Sequence, residues 1–90
     1  MIYSTLPRVK KKLIKYVKSD RVVFDLVRKQ LKLFEINDNH PSLRVHKLHG
    51  ELEGYWSISI NKSLRMIYFI ENNEAYFIDI GTHNEVYRVN

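Results

Sequence analysis

At 90 residues, 44% hydrophobic and 28% charged, the chain fits one soluble folded domain spanning 1–90 and is too apolar to be intrinsically disordered. Having no cysteine, it carries no disulfide framework, which accords with a reducing cytoplasm, and its short apolar runs predict no membrane span and no signal peptide. The net charge of +5 is uneven: residues 1–34 hold ten Lys or Arg against two Asp, and residues 35–90 hold five basic against eight acidic residues. A cationic half of this kind suits nucleic acid or an acidic protein partner.

Along the chain, Ile2-Tyr3-Ser4 allows a short first strand. Pro7 suits the first turn of a helix, where a missing N–H is no loss. Leu6, Val9, Leu13, Tyr16 and Val17 recur at three- and four-residue steps, predicting a helix to about Lys18. Ser19-Asp20 breaks it, and Asp20 can cap the next helix. Val23, Phe24, Val27, Leu31 and Phe34 predict that second helix over about 21–34, and so short a join makes an antiparallel hairpin. After residues 37–42 the period changes to two. Residues 43–48 read as a strand and 49–54 as a loop. Tyr55, Ser57 and Ser59 then alternate with Trp56, Ile58 and Ile60. Asn61-Lys62 and Asn72-Asn73 predict tight hairpins on either side of a strand at 64–70. A last strand comes at 75–80, stopped by Gly81, with 82–90 as a tail. The fold class is α+β: a two-helix antiparallel hairpin packed on a mainly antiparallel sheet of four to five strands.

The alternation divides the sheet into two faces. Trp56, Ile58 and Ile60, with Leu64, Met66, Tyr68 and Ile70, should meet the helices. Arg65 then lies on the open side with Tyr55, Ser57 and Ser59. Of the four histidines, His40 and His49 fall in loops and read as unremarkable, while His46 reads as a solvent-facing strand residue and His83 as a strand-end one. None has zinc-ligand spacing, and no glycine-rich phosphate loop or nucleophile elbow occurs, so neither metal nor cofactor is expected. Imidazole, guanidinium and phenol groups suit metal-free RNA cleavage. A base takes the proton of a ribose 2′-hydroxyl, a cation holds the phosphate charge, and an acid protonates the leaving oxygen. Arg65 could instead pair with Glu53, Glu74 or Asp79 as a surface ion pair.

Two stretches carry a family resemblance. "HKLHGELEGYWSISINKSLRMIY" (46–68) is similar to the H-x-L-x-G…GYWS-x-R-I…R-L-V-Y pattern of the RelE/ParE superfamily of bacterial type II toxin–antitoxin toxins. "IGTHNEVY" (80–87) resembles the G-T-H-x-x-[LV]-[FY] close of its YafQ branch. Pro7 and the lysine-rich first helix resemble the family's opening. The resemblance covers nearly the whole chain. It implies a RelE-like fold, a cognate antitoxin, and cleavage of mRNA in the ribosomal A site; the short apolar runs already predict no membrane partner.

By the same resemblance, Arg65 matches the arginine that stabilises the scissile phosphate. His83 matches the C-terminal histidine that does acid or base work, His46 the histidine before the loop, and Tyr87 an aromatic that orients substrate. Lys10, Lys11, Lys12, Lys15, Lys18, Arg28 and Lys29 would hold ribosomal RNA through its phosphates. The chain departs from the pattern at Ile58, Ser59 and Ser63, since relatives carry basic, histidine or acidic residues there. That departure leaves open a second class of function, a ParE-like gyrase inhibitor or a catalytically weak, antitoxin-binding homologue.

Overall fold

Two amphipathic helices and one strongly apolar sheet face determine the architecture of the chain. The structure, a computed structural model, describes residues 1–87; residues 88–90 of the expected tail lie outside the described residues. Strand β1 (Tyr3–Thr5) leads into α1 (Pro7–Ser19), which has Pro7 in its first turn. Asp20 alone separates α1 from α2 (Arg21–Ile36), and its carboxylate accepts from the Val23 N–H at 3.2 Å. The predicted cap is present, and both helices run slightly past their expected ends.

A meander comes next: β2 (His46–Lys47), β3 (Trp56–Ser59), β4 (Leu64–Glu71) and β5 (Glu74–Thr82). The sheet order is β1-β5-β4-β3-β2, with β1 parallel to β5 and the other pairs antiparallel. Asn72 and Asn73 take φ of 51° and 65°, the left-handed pair that a primed hairpin turn needs. The β3–β4 turn is held differently. The Asn61 side-chain oxygen accepts from the N–H groups of both Ser63 and Leu64 at 2.8 Å.

Three expectations are corrected. The strand read over 43–48 shrinks to His46–Lys47, because Pro41–Leu43 forms a 3₁₀ turn and Arg44 takes a left-handed φ of 47°. The loop over 49–54 contains a second 3₁₀ turn, Gly50–Leu52. Gly81 does not stop β5. The strand runs through to Thr82 and passes into a short helix, α3 (His83–Val86).

The helices cover one face of the sheet. Phe34 from α2 and Phe77 from β5 are fully buried there, with Tyr3 and Tyr68 edge-on or tilted against them at centroid distances of 5.0–6.4 Å. Burial, aided by the charge of Asp38, pushes the Tyr68 phenol up to about 12. Ile58, Ile60, Met66 and Tyr68 all join this core, as the alternation predicts. Ile70, near the far end of β4, stays exposed instead. The opposite face is less open than the alternation predicts. Leu48, Ile67 and Val86 form a second, smaller buried cluster there, with Tyr55, Ile78 and Tyr87 packed around it.

A β-bulge links the two faces. Ile67 pairs with Asp79 and Tyr68 with Phe77, leaving Ile78 without a partner on β4. The extra residue turns Ile78 toward the second cluster. Lys12 of α1 closes the irregularity: its Nζ donates to Asp79 Oδ1 and to the Ile80 carbonyl, both at 2.8 Å. The mostly exposed Arg8 adds a longer contact to the same carboxylate, 3.4 Å.

Candidate active site

Strand register assembles the site on the face away from the helices. His46 lies directly opposite Ser57, and Arg65 lies opposite both Ser59 and Gly81. Directly opposed residues share a face, so His46, Ser57 and Arg65 project together. Ser57 is fully buried. Its Oγ accepts from Arg65 Nε at 3.0 Å and from Arg65 Nη2 at 2.9 Å. Nη2 also donates to the Arg44 carbonyl at 2.9 Å. The guanidinium is thereby held on one edge by groups that carry no negative charge. Its positive charge remains available to a ligand, and none of Glu53, Glu74 and Asp79 neutralises it. Asp79 is engaged by Lys12 and Arg8, and Glu74 accepts from the Tyr76 hydroxyl.

Helix α3 delivers the other two groups. Thr82 caps it: the Thr82 hydroxyl accepts from the Glu85 N–H at 3.3 Å, and the Glu85 carboxylate accepts from the Thr82 N–H at 2.8 Å. The Thr82 backbone N–H first, then the Thr82 side chain, with a smaller contribution from Lys12, holds the Glu85 carboxyl below its ordinary range. Gly81 makes room for the fold-back, since a Cβ there would lie 3.0 Å from Glu85 Oε1 and 3.1 Å from Glu85 Cβ. The turn of α3 places the His83 ring edge-to-face on Tyr87, centroids 4.3 Å apart. The Tyr87 hydroxyl reaches Ser57 Oγ at 2.9 Å. A continuous chain of contacts therefore runs from His83 through Tyr87, Ser57 and Arg65 to Arg44.

These groups line a cavity of about 600 Å³ formed by Arg44, His46, Leu48, His49, Glu51, Leu52, Arg65, His83 and Tyr87. All four residues singled out for chemistry, Arg65, His83, His46 and Tyr87, meet at this one cavity. The basic helix residues do not. Lys10, Lys11, Lys15, Lys18, Arg28 and Lys29 are exposed on the helices that cover the other face of the sheet, and Lys12 is tied to Asp79. Among the described residues no group of three His, Cys, Asp or Glu is placed to hold a metal ion.

Sequence reasoning missed four contributors. His49 lines the cavity, whereas His40 uses its Nδ1 to accept from the Ser42 N–H. Arg44 and Glu51 line it from turns that alternation does not reveal. Ser57 read as a surface serine, yet it is the shared acceptor of the site. The helix that carries His83 lies in the stretch read as a tail, although Thr82 and Glu85, the T-x-x-E of a capping box, are the signal that would have found it.

The model of the family described as the bacterial toxin of type II toxin–antitoxin system, YafQ, matches residues 3–88. Among solved structures, the chain is similar to a YoeB/ParE toxin from Agrobacterium tumefaciens. That match has a TM-score of 0.79 at 15% identity, covering 92% of this chain and 99% of that one. It is also similar to a chain of the heterotetrameric YoeB–YefM toxin–antitoxin complex from Staphylococcus aureus (0.76, 20% identity, 92% and 97% covered). A chain of the E. coli DinJ–YafQ complex is similar as well (0.71, 19% identity, 96% and 97% covered). At these identities the likeness is one of fold. No curated protein sequence matches.

Proposed function

Since the chain belongs to the YafQ family of bacterial type II toxin–antitoxin toxins, we propose that it is a ribosome-dependent endoribonuclease. It cuts mRNA in the ribosomal A site and is neutralised by a cognate antitoxin. The observation that carries the reading is Arg65, held by Ser57 and the Arg44 carbonyl at the wall of a cavity that also presents His46, His83 and Tyr87.

The chemistry comes from those groups. One imidazole of the His46 and His83 pair takes the proton from the 2′-hydroxyl. The O2′–phosphorus bond forms as the phosphorus–O5′ bond breaks, and the other imidazole gives O5′ a proton. Arg65 donates to the non-bridging oxygens, where negative charge builds, and its fixed position spares reorganisation during the reaction. Tyr87, packed on His83, orients the substrate against that pair. The products are a 2′,3′-cyclic phosphate and a 5′-hydroxyl, with atoms and charge balanced.

The exposed lysines and arginines of α1 and α2 support phosphate contacts to ribosomal RNA, a binding mode that needs no sequence readout. The YoeB–YefM and DinJ–YafQ complexes support an antitoxin partner. Among the described residues no helix is long and apolar enough to cross a membrane, and action on ribosomes implies a cytoplasmic protein. Mapping mRNA 5′ ends after induced expression tests the reading. Cuts inside translated codons are expected, and intact transcripts in growth-arrested cells would overturn it.

A further inference from the structure

Arg44 and Arg65 form the partition between two cavities. The first holds the histidines. The second, about 400 Å³, is lined by Ser42, Arg44, Ser59, Ile60, Asn61, Lys62 and Arg65. We propose that this second cavity is a phosphodiester subsite: it takes the backbone phosphate adjacent to the scissile one, so that the RNA strand crosses the Arg44–Arg65 partition. The proposal rests on the nuclease reading of the first cavity.

Three observations carry it. The charge is all of one sign, because the lining has three cations and no carboxylate. Among the described residues Arg44, Lys62 and Arg65 take part in no ion pair, so their charge is open to a ligand. One neutral group is set to donate as well, whereas the Ser59 hydroxyl is spent on the Asn61 carbonyl. The Asn61 side-chain oxygen is occupied by two backbone N–H groups, which leaves its amide NH₂ for an acceptor.

The third observation is the backbone at Arg44. A left-handed φ of 47° favours glycine or asparagine, and a long cationic side chain there is conformationally costly. That conformation turns the Arg44 carbonyl onto Arg65 while its side chain borders both cavities. Glycine would supply the same carbonyl at lower cost, so the arginine side chain has a task that the fold does not explain. Such outliers gather at ligand-binding positions. Contact with a polyanion next to Arg65 is a task that fits its charge and place.

Binding of a labelled, fully 2′-O-methylated RNA decamer tests the subsite, because that probe lacks the 2′-hydroxyl nucleophile and is not cut. Affinity is measured across salt concentrations for the wild type, Arg44→Gly and Lys62→Ala. Each variant is expected to bind several-fold more weakly, with the slope of log affinity against log salt shallower by about 0.7 per cation removed. Arg44→Gly relieves the left-handed backbone and Lys62 lies in an exposed turn, so thermal melting is expected to show both variants folded. Slopes equal to the wild type, or no binding by the wild type, would overturn the subsite. So would variants that lose affinity only for the antitoxin, which would reassign the surface to an acidic protein segment. Cleavage by the wild type on programmed ribosomes is scored separately, so failure of the subsite and failure of the nuclease reading are told apart.

Discussion

The two faces of the sheet are built from different materials. Against the helices, Phe34, Phe77, Met66 and Ile58 are fully buried, and ring edges meet ring faces without a charged group among them. On the other side, three buried apolar residues support a set of polar groups, and a single buried hydroxyl, Ser57, holds an arginine and a tyrosine in place. Non-directional burial stabilises the first face. Directional hydrogen bonds set the geometry of the second. The contrast teaches that stability and chemistry are drawn from opposite sides of the same strands, so damage to one should be separable from damage to the other.

The strongest test removes the centre of the helix-side core. Phe34→Ala is expected to cost about 3–5 kcal/mol in urea or thermal unfolding, a large share of a small domain's stability. Arg65→Ala comes next and should act on rate instead. A loss of about 10²–10³ in cleavage, or ~2.7–4 kcal/mol, is expected, with a stability change of only about 1 kcal/mol. If Arg65→Ala unfolded the protein as readily as Phe34→Ala, the division between faces would fail.

Ser57→Ala sits between the two classes. It strips the shared acceptor from Arg65 and Tyr87, and an expected cost of about 1–3 kcal/mol in stability should accompany a lower cleavage rate. Measuring both on one preparation sharpens the comparison, since a purely structural serine would alter stability alone.

The smallest effects come from pH, and the two faces should respond at opposite ends of the scale. Tyr68, on the core side, has its phenol raised from 10.0 to about 12 in the folded chain. Its contribution is therefore complete below pH 10 and lost as pH rises through about 12. Glu85, on the site side, has its carboxyl lowered from 4.5. Its contribution is present above pH 4.5 and lost as pH falls through the folded value. Near-ultraviolet circular dichroism and His83 ring resonances, tracked against pH, should show the core loosening in alkali and α3 fraying in acid. Simultaneous loss of both signals in acid would contradict this.

Periodicity made most of the fold legible. The spacing of Val27, Leu31 and Phe34 marked the buried face of α2, and alternation put Arg65 on the side away from the helices. The segment from 40 to 52 was less legible, because two 3₁₀ turns and a left-handed Arg44 have no repeating apolar signal. His49 and Arg44 were lost for that reason. Ser57 was lost for another. Alternation gives the direction of a side chain but not what folds back to cover it, and its cover comes from Tyr87, thirty residues away. The family stretches supplied Arg65, His83, His46 and Tyr87, and the sheet register accounts for how residues so far apart in the chain reach one cavity.

Lys12 is one member of a charge run that the fold has drawn inward. The sequence presents Lys10, Lys11 and Lys12 as equivalent, but the ammonium of Lys12 is held by Asp79 and the Ile80 carbonyl across the β5 bulge. Its neighbours stay exposed. Seen by an amine-modifying reagent or an acetyltransferase, α1 is therefore a row of fast-reacting side chains interrupted by one slow one. Modification of the slow one would break the polar tie from helix to strand at the bulge, while Val9 keeps the helix packed on the core.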